Sequence, residues 1–147
     1  MTHRPMAILL VAFIHASVLR GEDAKADLDK FQGTWEVTKY ERNGEQFPVM
    51  AMKFTGDKMQ RYAAAGDPSP SRPEWTIKLD PSKKPRAIDA TVLTGPLMGK
   101  THLGIYQLDA EELKLCLARP EVTDRPTEFK SNEGSQLEVI TLKRSKK

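Results

Sequence analysis

Short segments of alternating apolar and polar residues, each ending in a turn sequence, are the feature that most constrains the fold of this chain. In the first segment, residues 34–42, Trp35 and Val37 fall on one face, and the segment ends at Asn43-Gly44, a strong signal for a two-residue hairpin turn. The other face takes Thr34, Glu36, Thr38 and Tyr40. The same rhythm continues along the sequence and predicts strands at about 47–55, 58–64, 74–79, 86–93, 102–108, 112–118, 127–130 and 136–144.

The spacing of these segments predicts an all-β domain, because short strands recur at intervals of about 8–12 residues with turn chemistry between them. A short helix is expected only at residues 26–32, with Asp27 as its N-terminal cap. Every connection except those containing residues 65–73 and 119–126 is short. Short sequential connections favour an antiparallel up-and-down β-barrel of about eight strands, and a β-sandwich is the alternative.

The N-terminal residues 1–26 have the pattern of a secretory signal peptide. Arg4 provides a positive start, residues 6–19 are mostly apolar, and Ala24-Lys25-Ala26 is a small-x-small cleavage sequence. The apolar run is shorter than the roughly 20 residues that cross a bilayer. The sequence therefore predicts export to the periplasm or the extracellular space, with residues 27–147 as the barrel domain. A retained N-terminal anchor is the alternative, because charged residues crowd the cleavage sequence.

Charge and composition argue against a nucleic-acid partner. The whole chain has a net charge of +3, and the predicted signal peptide removes three basic and two acidic residues, so the remaining domain is nearly neutral. The basic residues cluster only at 143–147, where a solvated terminus explains them.

Residues for metal or nucleophilic chemistry are scarce. Cys116 is the only cysteine and lies in the apolar segment LKLCLA, which is typical of a small buried side chain. His102 is the only histidine after residue 26, so the usual zinc-ligand sets cannot form. The segment GPLMGKT at 95–101 is one residue too short for a P-loop and precedes a strand instead of a helix. We therefore predict no metal, cofactor or catalytic residue, with a hydrolase as the alternative.

Arg125 and Asp89 are candidate polar contacts. Arg125 precedes Pro126, and Asp89 follows the segment Lys84-Pro85-Arg86 at the start of a predicted strand. An arginine at a barrel mouth can hold a ligand carboxylate in two parallel hydrogen bonds. A structural ion pair that closes one end of the barrel is the other interpretation.

Five ordered blocks of the sequence resemble a known family. They are FQGTWEVTKYERNGE, DPSKKPRAID, GIYQLDAEELKLCLA, RPTEF and ITLKR, and together they span about residues 28–144. These blocks resemble the uncharacterised lipocalin-like domain that is abundant in planctomycete bacteria. The resemblance implies a lipocalin-like barrel, and because members of that family have no assigned activity it implies no particular reaction.

A weaker similarity to lipocalins and fatty-acid-binding proteins concerns the two ends of the domain. In those families a Gly-x-Trp sequence opens the first strand, and an arginine from the last strand covers the indole at the closed end of the barrel. The similarity implies that Gly33, Trp35 and Arg144 close one end here.

Two functional hypotheses follow. An eight-stranded barrel is just wide enough to be filled by side chains or to hold one small ligand. The first hypothesis is an exported, non-enzymatic module that binds a small amphipathic molecule in the barrel. The second is an interaction or inhibitor module that contacts a protein or an envelope polymer through loops 65–73 and 119–126, with a packed interior. The residues that would line the ligand site are Trp75, Ile77, Asp89, Tyr106, Leu113, Leu115, Leu117 and Arg125.

Overall fold

A computed structural model describes residues 12–48 and 50–146, and the first eleven residues of the predicted signal peptide lie outside this part. The described part contains one helix and nine strands. In chain order they are α1 Ala12–Phe31, β1 Gly33–Arg42, β2 Glu45–Gln46, β3 Ala51–Thr55, β4 Lys58–Tyr62, β5 Ser71–Asp80, β6 Arg86–Val92, β7 Thr101–Leu108, β8 Glu112–Ala118 and β9 Leu137–Arg144.

The strands form a closed antiparallel barrel. From β3 to β9 each strand pairs with the next one in the sequence, and β1 pairs with β3 on one side and with β9 on the other. Two-residue β2 adds a short extra strand beside the end of β1. The prediction of an up-and-down barrel of about eight strands is confirmed, and the alternative of a sandwich is wrong.

A β-bulge changes which side chains of β1 face the interior. Val37 pairs with Leu142, but the next paired residue on β9, Thr141, faces Lys39, so Thr38 is an extra residue in β1. The extra residue moves Tyr40 to the interior, where it is 5% exposed. Strict alternation had put Tyr40 on the outer face, and that prediction is wrong.

Side chains from every long strand fill the barrel. The largest fully buried ones extend from Phe31 at the end of α1 to Leu117 and Ile140 near the other end of the barrel. Their alternation with exposed residues is the pattern that closure requires, because successive side chains of a strand point to opposite faces.

The helix is longer than the sequence predicted. It continues without a break from Ala12 through the predicted cleavage sequence to Phe31, so Asp27 lies inside it and does not cap it. Residues 21–26 are mostly exposed, whereas Asp27 is only 6% exposed. In the described part of the chain, no helix combines the length and the apolar character that a membrane span requires.

The predicted strand at 127–130 is absent. Strands β8 and β9 pair directly with each other and each has a second neighbour, so the closed barrel leaves no edge for another strand. The connection between β8 and β9, residues 119–136, instead crosses the outer wall. There Phe129 packs with Ile105, Cys116 and Val139 in a second, smaller apolar cluster.

Gly104 of β7 lies at a tightly packed position of the barrel wall. A Cβ atom at this position would lie 2.6 Å from the carbonyl oxygen of Cys116 and 2.6 Å from Cδ2 of Leu117. We expect Gly104→Ala to lower the free energy of unfolding by about 1–3 kcal/mol, the usual cost of overpacking, as measured by urea denaturation. Both variants are compared in the full-length, uncleaved chain, where the control Gly21→Ala adds its Cβ in open space on α1 and should not destabilise the protein. Equal stability of the two variants would contradict the packing described.

Candidate functional site

The end of α1 closes one end of the barrel. The guanidinium of Arg144 lies 4.3 Å from the centroid of the Trp35 ring and donates hydrogen bonds to the carbonyl oxygens of Lys30, at 2.7 Å, and Gln32, at 3.1 Å. The indole N–H of Trp35 donates to the carbonyl oxygen of Phe31 at 2.7 Å. A cation at the C-terminal end of a helix is stabilised by the unpaired carbonyls there. We call this end the plug.

The Gln32 side chain and the backbone conformation of Gly33 hold the plug in position. The side-chain amide of Gln32 exchanges two hydrogen bonds with the backbone of Gly56, at 2.9 and 2.7 Å, and so fixes the turn between β3 and β4 to the helix end. Gly33 has a φ of 105°, which a side chain would disfavour, and it turns the chain from the helix into β1. The structure therefore brings Gly33, Trp35 and Arg144 together at one end of the barrel.

Tyr106, a predicted ligand contact, is bonded to the plug. Its hydroxyl donates to Oδ2 of Asp27 at 2.6 Å, and the same oxygen accepts from Arg86 at 3.1 Å. Burial, reinforced by the hydrogen bond to Asp27, raises the pKa of the Tyr106 phenol far above its ordinary value. The hydroxyl is therefore a neutral donor that is already used within the protein.

Asp89 and Arg125 lie on the outer wall. Asp89 alternates with Ile88 and Ala90, which face the interior, and its carboxylate accepts a hydrogen bond from Arg125 at 2.7 Å. The other terminal nitrogen of Arg125 donates to the carbonyl oxygens of Ile88 and Gly104, at 3.0 and 2.8 Å. The ion pair fastens the long β8–β9 connection to the wall, so it does not close an end of the barrel and does not share a site with Tyr106.

The five remaining predicted ligand contacts all face the interior, where none exceeds 4% exposure. Trp75 and Leu117 lie near the end of the barrel opposite the plug, and the others lie deeper in the main cluster. These deeper residues are Ile77, Leu113 and Leu115.

The end opposite the plug, which we call the mouth, contains a polar cluster that the sequence analysis missed. Glu138 accepts hydrogen bonds from the hydroxyl of Tyr40, at 2.9 Å, and from the guanidinium of Arg61, at 3.0 Å. Arg42 adds a longer ion-pair contact with Glu138, at 3.9 Å. The guanidinium of Arg61 also lies 4.8 Å from the centroid of the Trp75 ring. The cluster therefore seals the mouth with a paired charge instead of an apolar lid.

Electrostatics favour a charged Glu138. Burial alone would raise the pKa of its carboxyl, but the charge of Arg61, the hydrogen bonds from Tyr40 and Arg61 and the nearby His102 together hold that pKa below its ordinary value of 4.5. Burial, and then the negative charge of Glu138, raises the pKa of the Tyr40 phenol. At neutral pH the cluster thus contains a carboxylate, a guanidinium and a neutral phenol.

A small void remains beside the cluster. It has a volume of about 40 Å³ and is lined by Arg61, Trp75, His102, Leu117 and Glu138. Within the part of the chain that the structure describes, the buried Nε of Arg61 has no hydrogen-bond partner. A water molecule occupies about 30 Å³ in the liquid. The void therefore has room for about one water-sized group, and Arg61 offers it a donor.

The chemistry of the described residues does not favour a nucleophile or a metal. Burial raises the pKa of the Cys116 thiol to about 11, and its side chain lies under Phe129 on the outer wall. Nδ1 of His102 is 2.9 Å from the carbonyl oxygen of Ala118. Across residues 12–48 and 50–146, no group of three or more His, Cys, Asp or Glu side chains is placed to hold a metal ion.

Part of the polar cluster at the mouth could have been found from the sequence. Arg61 continues the inward face of Met59, and Glu138 continues that of Ile140, so a charged residue at the end of an apolar stripe indicates a polar barrel end. Tyr40 gave no such signal, because the bulge at Thr38 reverses its face.

Comparisons with known proteins add no relative: no family model, no curated protein and no solved structure matches this chain. The assignment of a barrel fold depends on the strand pairing described above. Membership of the planctomycete lipocalin-like family stays a prediction from the sequence blocks.

The lowered pKa of Glu138 predicts a specific pH dependence of stability. A carboxyl whose pKa is lower in the folded protein stabilises it fully above its unfolded pKa, about 4.5, and this stabilisation is lost as the pH falls through the lower, folded value. We expect Glu138→Gln to remove that part of the pH dependence, measured by denaturant unfolding between neutral and acid pH. At neutral pH the variant should lose about 1–3 kcal/mol, because the Arg61 guanidinium loses its charged acceptor.

The control is Glu45→Gln on exposed β2. It should keep both the neutral stability and the acid loss of the wild type. An unchanged acid profile in Glu138→Gln would show that the mouth cluster does not stabilise the fold.

Proposed function

We propose that the protein is an exported, non-enzymatic module that binds a protein partner through the loops around its mouth. The observation that carries the proposal is an exposed apolar pair in the β6–β7 loop, residues 93–100. Leu97 is 38% exposed and Met98 is 69% exposed, and among residues 21–48, 50–71 and 73–146, whose side-chain exposure the structure describes, they are the only large apolar side chains that are exposed. Exposed apolar groups on a loop held by a rigid scaffold are typical of a recognition surface.

The β6–β7 loop presents this pair in a fixed geometry. Its ends are joined by hydrogen bonds from Gly99 N–H to Val92 C=O, at 2.8 Å, and from Val92 N–H to Lys100 C=O, at 2.9 Å. Within the loop, Lys100 N–H donates to Leu97 C=O at 3.0 Å. Little backbone entropy would be lost on binding, because the loop is already ordered. The unbranched, polarisable side chain of methionine adapts well to the surface of a partner.

The filled interior favours recognition from outside the barrel. Pockets for small molecules usually have volumes of about 300–1,000 Å³. The void that touches Trp75 and Leu117 has only about 40 Å³, and the side chains below it are almost fully buried. Binding at the mouth loops would require no rearrangement of this core.

Export is supported by the N-terminal sequence and is compatible with the packing of α1. Cleavage after Ala26 would remove residues 1–26, of which 21–26 are mostly exposed, and would keep Asp27 and Phe31, which are buried. The plug would therefore keep its contacts with Tyr106, Trp35 and Arg144.

The apolar pair provides the test of this proposal. A photo-reactive cross-linker attached near the β6–β7 loop in the native host should capture one specific protein with the wild type. Capture by the Leu97→Ser/Met98→Ser variant should fall by about tenfold or more, because the variant lacks the apolar contact area. The variant should unfold at the same temperature as the wild type. The matched control Asp57→Ser/Lys58→Ser changes two exposed residues at the turn between β3 and β4, on the plug end, and should capture the same protein normally. Equal capture by both double variants would refute the proposal.

A second candidate is a small amphipathic ligand that enters at the mouth. The observation that favours it is the unpartnered Nε of Arg61, buried beside the void near Trp75. A ligand larger than one water-sized group would have to separate Arg61 from Glu138 and displace core side chains. A small molecule that stays bound to protein purified from its own host and quenches Trp75 fluorescence would support this candidate over the first.

A further inference from the structure

A groove beside the plug combines cations with apolar walls. It has a volume of about 440 Å³ and lies between the β5–β6 turn, residues 81–85, and the end of β7. Lys83, Lys84 and Arg86 provide the charge, while Leu108 and Phe129 provide apolar surface. We call it the basic groove. Unlike the void at the mouth, it has a volume within the usual range for small-molecule pockets.

Three cationic side chains line the basic groove, and the carboxylates of Asp27 and Asp80 act electrostatically on its Tyr106. Arg86 is paired with Asp27, but Lys83 and Lys84 are exposed and form no ion pair with any residue that the structure describes. No acidic side chain lines the groove. Lys114 is a further cation near Phe129, with its Nζ 6.0 Å from the ring centroid. A ligand here would meet two exposed lysine side chains and a half-buried aromatic ring.

Both walls of the basic groove are fixed before any ligand arrives. Pro81 and Pro85 restrict the backbone of the β5–β6 turn, and Asp80 accepts hydrogen bonds from the backbone and the hydroxyl of Ser82. On the other side, Phe129 belongs to the connection that Arg125 fastens to the outer wall. A preformed site loses little conformational entropy on binding.

We propose that the basic groove binds a small amphipathic organic anion, with an aromatic or alkyl body and a carboxylate or sulfonate head. The body would pack on Leu108 and Phe129, and the head would accept charge-assisted hydrogen bonds from Lys83 and Lys84. The groove lies at the plug end and includes no residue of the β6–β7 loop, so its test does not depend on the protein partner proposed above.

The probe for the test is anilinonaphthalene sulfonate, an aromatic anion whose fluorescence rises in apolar surroundings. We expect the wild-type protein to bind it at one site. Decanoate should displace the probe, whereas decyltrimethylammonium, a cation with the same alkyl chain, should not. Lys83→Gln/Lys84→Gln should weaken binding by about tenfold or more, since two charge-assisted contacts are lost.

The control Lys58→Gln/Lys143→Gln removes the same charge at two exposed lysines outside the groove and should bind the probe like the wild type. Bound probe should also shift the amide NMR signals of Gln107 and Leu108, and not those of Leu117 at the mouth. Absence of binding by the wild type, equal weakening in both double variants, equal displacement by the cation, or shifts confined to the mouth would each overturn the proposal.

Discussion

The contact of Arg144 with Trp35 and with the carbonyl end of α1 is the constraint on which the rest of the structure depends. It joins the last residue of β9 to the third residue of β1 and to the helix end in one set of contacts, at the place where the barrel closes. The arginine satisfies carbonyls that a helix end leaves unpaired, and it covers the indole from solvent. Because the helix end occupies the axis at this point, access to the interior is limited to the mouth.

The mouth is closed by a different kind of interaction from the one that closes the plug. The plug is sealed by aromatic packing under one cation, whereas the mouth is sealed by a carboxylate that neutralises Arg61 and accepts from Tyr40. Such a pair has to recover the desolvation of two charges through good geometry. Between the two ends, buried side chains occupy the barrel, so the exposed features that remain are the apolar pair of the β6–β7 loop and the cations of the basic groove.

Much of this fold could be predicted from the sequence, since period-two alternation and turn signals depend on local chemistry. The inward faces of Trp75, Ile77 and Leu115 follow from that alternation alone. Tyr40 could not be placed, because a bulge depends on pairing between β1 and β9, which are about 100 residues apart in the sequence. The pairing of Asp89 with Arg125 could also be anticipated from the sequence. Its position on the outer wall could not, because that position depends on the path of the β8–β9 connection.

Xenon binding in pressurised crystals tests most directly the central claim that side chains fill the barrel from plug to mouth. Xenon enters dry apolar cavities in proteins. If side chains fill the barrel, no xenon atom binds inside it between Trp35 and Trp75. A xenon atom bound among Ile77, Leu115 and Ile140 would contradict it, because it would reveal an apolar cavity where a small ligand could bind.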